Sequence, residues 1–202
     1  MVSVINDILQ QAKWMVVSVM RILGYIGLIV LVALVERYSL YKDGNKIKLQ
    51  SRQQSKISIV TLLLISTLFG LYSLASAHIP YISDRGVYAS AFSENGGDYF
   101  TIGLNQLHKF LILFSNDPKI LFFTVTFLCT FLVLLAHRLN DDAKLNTLLY
   151  LVLSELFIYS FYLLKQAPAI ALAAIATTML LQEKKLLSLL FLVLAILFHE
   201  SA

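Results

Sequence analysis

The feature that most constrains this chain is a series of long apolar stretches that carry almost no charge. A helix needs about 20 mostly apolar residues to cross a hydrocarbon core roughly 30 Å thick. Long apolar stretches fall at about residues 14–35, 57–77, 119–137 and 146–164, and shorter ones at 167–182 and 186–200. Inside a bilayer no water satisfies the backbone, so segments of this kind cross as helices. The sequence therefore predicts an all-α fold: a polytopic integral membrane bundle of about six transmembrane helices, forming one domain over residues 1–202. The first stretch is interrupted by Arg21, and Glu36-Arg37 follows it directly. With more apolar segments downstream, it reads as an uncleaved helix behind a short amphipathic lead-in at residues 1–13.

Composition narrows the function classes. Hydrophobic residues make up 58% of the chain and charged residues 14%, and mean hydropathy is +0.77. Soluble domains carry roughly 25% charged residues, so the composition argues against a soluble enzyme, a disordered tail and a nucleic-acid-binding module. A single cysteine rules out an internal disulfide framework and a cysteine-rich metal site. The histidines show no HExxH or similar ligand spacing, so neither a metal nor a cofactor is predicted.

Orientation follows from where Lys and Arg sit in the short loops. Residues 36–56 carry Arg37, Lys42, Lys46, Lys48, Arg52 and Lys56 against only Glu36 and Asp43, which makes this loop cytoplasmic. The loop 78–118 holds Arg85 and Lys109 against Asp84, Glu94, Asp98 and Asp117, and belongs outside. Alternation then puts residues 138–145 and 182–185 inside, and Lys165 and His199 outside with the N-terminus. Four titratable groups, Asp84, Arg85, Lys165 and His199, are thus expected at one membrane face. They read either as ordinary interfacial charge or as a site.

Two elements of that outer face stand out. In the loop 78–118, Asp84 and Tyr88 are spaced for one helical face, with Phe92 a turn further on. After the turn Glu94-Asn95-Gly96-Gly97-Asp98, the residues Phe100, Leu104, Leu107, Leu111 and Phe114 repeat at helical spacing, with Asn105, His108 and Lys109 on other faces. This predicts an amphipathic helix at the outer interface, or one whose stripe packs on other helices. Asn116-Asp117-Pro118 then supplies an N-cap and a first-turn proline for the next helix. The second element is Lys165-Gln166-Ala167-Pro168, read as a helix start with Pro168 at the first position. A lysine beside a helix N-terminus makes an anion-binding corner. The alanines from Ala167 to Ala176 make that helix slim and therefore internal. Glu155 is read as a mid-membrane carboxylate, and Cys129 as a small apolar residue.

From residue 60 onward the chain resembles the EpsG-like family of exopolysaccharide membrane proteins, related to Wzy-type polysaccharide polymerases. Three stretches carry the resemblance. Ile82-Ser83-Asp84-Arg85-Gly86-Val87-Tyr88, followed by Phe92, is similar to the family's Gly-x-Asp-x-x-x-Tyr-x-x-x-Phe segment. Lys165-Gln166-Ala167-Pro168-Ala169 resembles its Arg-Gln-x-x-Ala, with lysine's point charge in place of arginine's fork. Phe198-His199-Glu200-Ser201-Ala202 resembles its Phe-His-x-Ser-Ala. The resemblance covers about residues 60–202, which looks like the N-terminal half of such a protein.

The resemblance implies a glycosyltransferase that joins polyprenyl-diphosphate-linked oligosaccharide repeats at the outer face of the bacterial cytoplasmic membrane. It would serve exopolysaccharide, capsule or O-antigen synthesis alongside other polysaccharide-assembly proteins and membrane lipid. Asp84 and His199 are the catalytic candidates, either of them able to act as general base. Arg85, Tyr88, Lys165 and Gln166 are the substrate-binding candidates, with the cations facing the diphosphate. The rival from another class is a non-catalytic membrane component, or a transporter or flippase of lipid-linked glycans. Internal inverted repeats would favour a transporter, and the sequence shows none.

Overall fold

A computed structural model describes residues 27, 30, 31, 34, 58–76, 84–94, 100–139 and 164–199, with the backbone alone at Ser76 and Asp84. Among these residues there is no strand. Six helices follow one another: α1 (Ile59–Ser76), α2 (Asp84–Ser93), α3 (Ile102–Leu111), α4 (Lys119–Leu139), α5 (Gln166–Leu181) and α6 (Lys185–Phe198). Gly27, Val30, Leu31 and Leu34 are also helical positions, and exposed. The rest of the stretch 14–35, the loop 36–56 and the stretch 146–164 with Glu155 lie outside the described residues.

Helix length sets what each element can do in a membrane. With a rise of about 1.5 Å per residue, the 21 residues of α4 reach the roughly 30 Å of a hydrocarbon core. It is the one described helix both long and apolar enough to cross a membrane. The polytopic expectation is therefore met in part. The apolar helices α1, α5 and α6 are described over 18, 16 and 14 residues, fewer than the roughly 20 of a typical span. The expected spans at 167–182 and 186–200 are separated only by a tight turn, which ends α5 at Leu181 and starts α6 at Lys185.

Local chemistry explains where these helices start and stop. Asp117 caps α4: its Oδ1 accepts the backbone N–H of Lys119 at 2.9 Å, and Pro118 follows it in the first turn. At the other end of α4, the side-chain amide of Gln182 donates to the Leu139 carbonyl, filling a group that the helix itself leaves open. Between α5 and α6, Lys184 N–H bonds to Met179 O and Glu183 N–H to Leu180 O, both at 2.9 Å. With Glu183 at φ 61°, this is a Schellman ending in which glutamate holds the left-handed position that glycine normally takes.

α5 packs between α4 and α6, while α1 lies along α4 and α3 meets both α4 and the far end of α6. The alanine-rich face of α5 allows this: Ala167, Ala169, Ala171 and Ala176 are buried, so neighbouring backbones approach closely. Gly70 does the same for α1, since a Cβ there would lie 2.8 Å from the Phe123 ring. Phe123, Phe127 and Phe131 stack successively along α4, with centroids 6.0 and 6.2 Å apart.

Two expectations about individual residues need correction. Pro168 is the third residue of α5, because the helix already begins at Gln166. It is still in the first turn, where a missing N–H breaks no helical bond. The stripe on α3 also runs differently from the sequence reading. Leu104, His108 and Leu111 face the core, and Phe114 is exposed. The helix stops at Leu111 and a turn over 112–114 breaks the phase. His108 belongs to the buried face because it lies four residues after Leu104 and three before Leu111.

Candidate functional site

One end of the bundle collects the residues of interest. A single apolar cluster contains Tyr88 and Phe92 of α2, Phe100 and Leu104 at the start of α3, Phe122 at the start of α4, and Leu164 and Ala167 beside the start of α5, with Phe198 packed against it. The end of α1, the starts of α4 and α5, and the last residue of α6 therefore meet around α2 and α3. The opposite end is tied separately, through Gln182 and Leu139 and a second cluster of Ala136, Ile175 and Met179.

α2 adds Tyr88, Ala91 and Phe92 to this cluster and carries Arg85 in its first turn. Its arginine does not reach outward. Arg85 is 8% exposed, and its Nη2 donates to the hydroxyl of Ser73 at 2.8 Å and to the Ser73 carbonyl at 3.3 Å. The guanidinium carbon stands 4.6 Å from the centroid of the Phe122 ring, within range for a cation–π contact. The Ser73 hydroxyl also accepts from Thr126 Oγ1 at 3.0 Å and donates to Phe122 O at 3.2 Å. A buried charge is costly unless paired or hydrogen-bonded, and Ser73 and Phe122 offset that cost here.

One helical turn on from Arg85, Tyr88 is buried and stacks with Phe100 at 6.4 Å between centroids. Lys165 approaches the Tyr88 ring from α5, with Nζ 5.9 Å from its centroid. Lys165 is half-buried and Gln166, the first residue of α5, is exposed. His199 follows α6 in extended conformation, at φ −155° and ψ 125°, and is half-buried. It is carried to this end because Phe198 wedges against Gly103 of α3, where an added Cβ would come within 2.8 Å of its ring and 3.0 Å of the Leu197 carbonyl. Asp84 is the first residue of α2; its side chain lies outside the description. Of the six sequence candidates, Arg85, Tyr88 and Lys165 are thus gathered at one end. Gln166 is on its rim, His199 reaches it through Phe198, and Asp84 is placed by its backbone.

Sequence reasoning missed three residues here. Ser73 and Thr126 sit within apolar helices and are fully buried. Nothing in their spacing marks them, because a lone Ser or Thr inside a helix usually bonds back to its own carbonyls, as Ser66 does to Leu62. His108 is 1% exposed, and its signal was present in the three- and four-residue spacing to Leu111 and Leu104. Its Nε2 lies 3.0 Å from Phe92 O. Its ring packs edge-on against Phe92 and Phe100, at centroid distances of 4.6 and 5.4 Å. Among the described residues no group of three or more His, Cys, Asp or Glu side chains is placed to hold a metal ion.

Among the described residues, fold and site together define a helical arrangement with one membrane-length helix, in which the other apolar helices bring aromatic and cationic side chains to one end. The sequence model of one family, EpsG, matches residues 60–202, which is most of the chain and all of the site. The chain belongs to the EpsG family. It is accordingly a membrane protein connected with polysaccharide biosynthesis. No curated protein and no solved structure matches it.

Proposed function

We propose that this protein extends polysaccharide chains by joining polyprenyl-diphosphate-linked oligosaccharide repeats at the outer face of the cytoplasmic membrane. The observation that carries the reading is the Lys165 ammonium over the Tyr88 ring, at the end of the bundle that α6 enters with His199, in a chain of the EpsG family. The reaction needs three things from such an end: a base for the acceptor hydroxyl, positive charge for the leaving diphosphate, and flat surfaces for sugar.

In this reading the acceptor hydroxyl of one repeat attacks the anomeric carbon of the chain held on the other carrier. A new C–O bond forms as the bond from that carbon to the diphosphate oxygen breaks. The hydroxyl proton passes to Asp84 or His199, and polyprenyl diphosphate leaves with the bonding electrons. Lys165 at the start of α5 faces the charge that develops on the departing oxygen, where positive groups act most strongly. The exposed Gln166 contacts sugar or diphosphate, while Tyr88, buried against Phe100, serves the substrate by steadying Lys165. Arg85 contributes its charge from behind Tyr88, since its Nη2 is engaged by Ser73.

Deletion followed by gel separation of surface glycan tests the activity. Loss of long chains, with single lipid-linked repeats still reaching the outer face, is the expected result; unchanged chain length would refute the proposal. Asp84→Asn, Lys165→Ala and His199→Ala should each abolish extension while the protein stays in the membrane. Normal polymer from all three would remove the site assignment.

A further inference from the structure

We propose that Ser73 and His108 are positioning residues that mount α2 at both ends, and so set where Asp84 and Tyr88 stand. What the mounting serves rests on the polymerase reading above. The mounting itself does not.

The first mount is the Ser73 hydroxyl. It accepts from Arg85 Nη2 at 2.8 Å and from Thr126 Oγ1 at 3.0 Å, and it donates to Phe122 O at 3.2 Å. A serine hydroxyl has one proton and two lone pairs, so every capacity it has is used. It links the first turn of α2 to α1 and α4 at a single buried point. The arginine at that point keeps its charge and is held on two sides, by the Ser73 hydrogen bonds and by the Phe122 ring, whose centroid is 4.6 Å from the guanidinium carbon.

The second mount is His108. A carbonyl oxygen only accepts, so the 3.0 Å contact with Phe92 O requires the proton on Nε2. Phe92 lies in the last turn of α2, where carbonyls run out of helical N–H partners. The ring is gripped between Phe92 and Phe100, so α3 holds the end of α2 through a rigid aromatic contact and one hydrogen bond. Tyr88 stands three residues after Arg85 and four before Phe92, on the same helical face as both mounts. Displacing either mount tilts that face relative to Lys165.

Cysteine labelling in membranes tests the mounting without any activity. Ala91 is 3% exposed on α2, and the native Cys129, 2% exposed on α4, serves as a reference for the bundle as a whole. In the full chain carrying Ala91→Cys, Ser73→Ala, Thr126→Val and His108→Leu should each speed labelling at position 91 about tenfold or more, with Cys129 unchanged. Thr126→Ser and His108→Gln, which restore a donor, should return it close to the starting rate. Unchanged labelling at position 91 overturns the proposal. Equal acceleration at both cysteines overturns it too, because these groups would then hold up the whole bundle.

The catalytic arm uses the lipid-linked repeat that accumulates in a strain lacking the protein. With it, Ser73→Ala and His108→Gln should differ: the first lowers turnover about tenfold while half-saturation stays within about twofold, and the second leaves both near wild type. Equal turnover in the two variants would sink the positioning role. If the unaltered protein does not extend this repeat, the polymerase reading falls, and the labelling result still decides the mounting.

Discussion

Two single residues fix helix ends here, and each offers a measurable change in stability. Asp117 accepts the Lys119 N–H at 2.9 Å, while its ion pair with Lys119 Nζ at 3.5 Å is largely exposed and adds little. Asp117→Ala should therefore cost about 1 kcal/mol through the lost cap. Asp117→Ser keeps an acceptor and should recover most of it, read as the midpoint of thermal unfolding in detergent. An equal loss in both variants would mean that the charge mattered and the cap did not. Glu183 is the reverse case, a side chain in the left-handed region at φ 61°. Glycine has no Cβ to strain there, so Glu183→Gly should raise stability by about 1 kcal/mol. Its flanking bonds, Lys184 N–H to Met179 O and Glu183 N–H to Leu180 O, are backbone bonds and survive the change. A fall in the midpoint would show that the Glu183 side chain contributes more than its backbone costs.

Among the elements, the pairing of α3 with α6 is the one on which the position of His199 depends. Gly103 lets the end of α6 close against α3, with Phe198 Cδ2 2.8 Å and the Leu197 carbonyl 3.0 Å from where a Cβ would sit. The carbonyl is backbone and cannot rotate away, so Gly103→Ala should push the two helices apart at a cost of about 1–3 kcal/mol. The expected readout is lower stability together with faster chemical modification of His199. Gly103→Ala without any change in His199 modification would mean that α6 is held from elsewhere. The helices themselves were legible from the sequence: apolar runs gave α1, α4, α5 and α6, and the Asp84, Tyr88, Phe92 spacing gave α2. Their contacts were less so. Nothing in one helix's own pattern says that Gly103 faces Phe198, because that depends on how two elements distant in the chain cross. The phase of α3 after Leu111 failed for a related reason, since a turn of three residues rotates everything beyond it.

At the scale of the whole molecule, the charge pattern separates two ends that the structure also separates. The turn with Gln182 is tied to the end of α4, and Arg85, Tyr88 and Lys165 gather at the other end. The candidate site was partly legible on this account: loop charge placed Asp84, Arg85, Lys165 and His199 on one expected side, and the structure brings Arg85, Tyr88 and Lys165 to one end of the bundle. The burial of Arg85 was not, because whether a cation faces solvent or a serine on another helix is decided by tertiary packing. Opposite ends of the bundle become opposite sides of a membrane in the topology proposed here, with the Lys/Arg-rich loops inside. Two exposed positions test it. Lys109 lies on α3 at the site end, and Glu183 lies in the α5–α6 turn at the other. In a Cys129→Ala background, Lys109→Cys should react with a membrane-impermeant thiol reagent in intact cells, and Glu183→Cys only after the membrane is opened. The opposite pattern would place the cationic end in the cytoplasm, where no translocated repeat could meet it. Reaction at both positions in intact cells would mean that the bundle does not separate the two compartments at all. Only the first pattern leaves Lys165 and His199 on the face that the proposed joining of lipid-linked repeats requires.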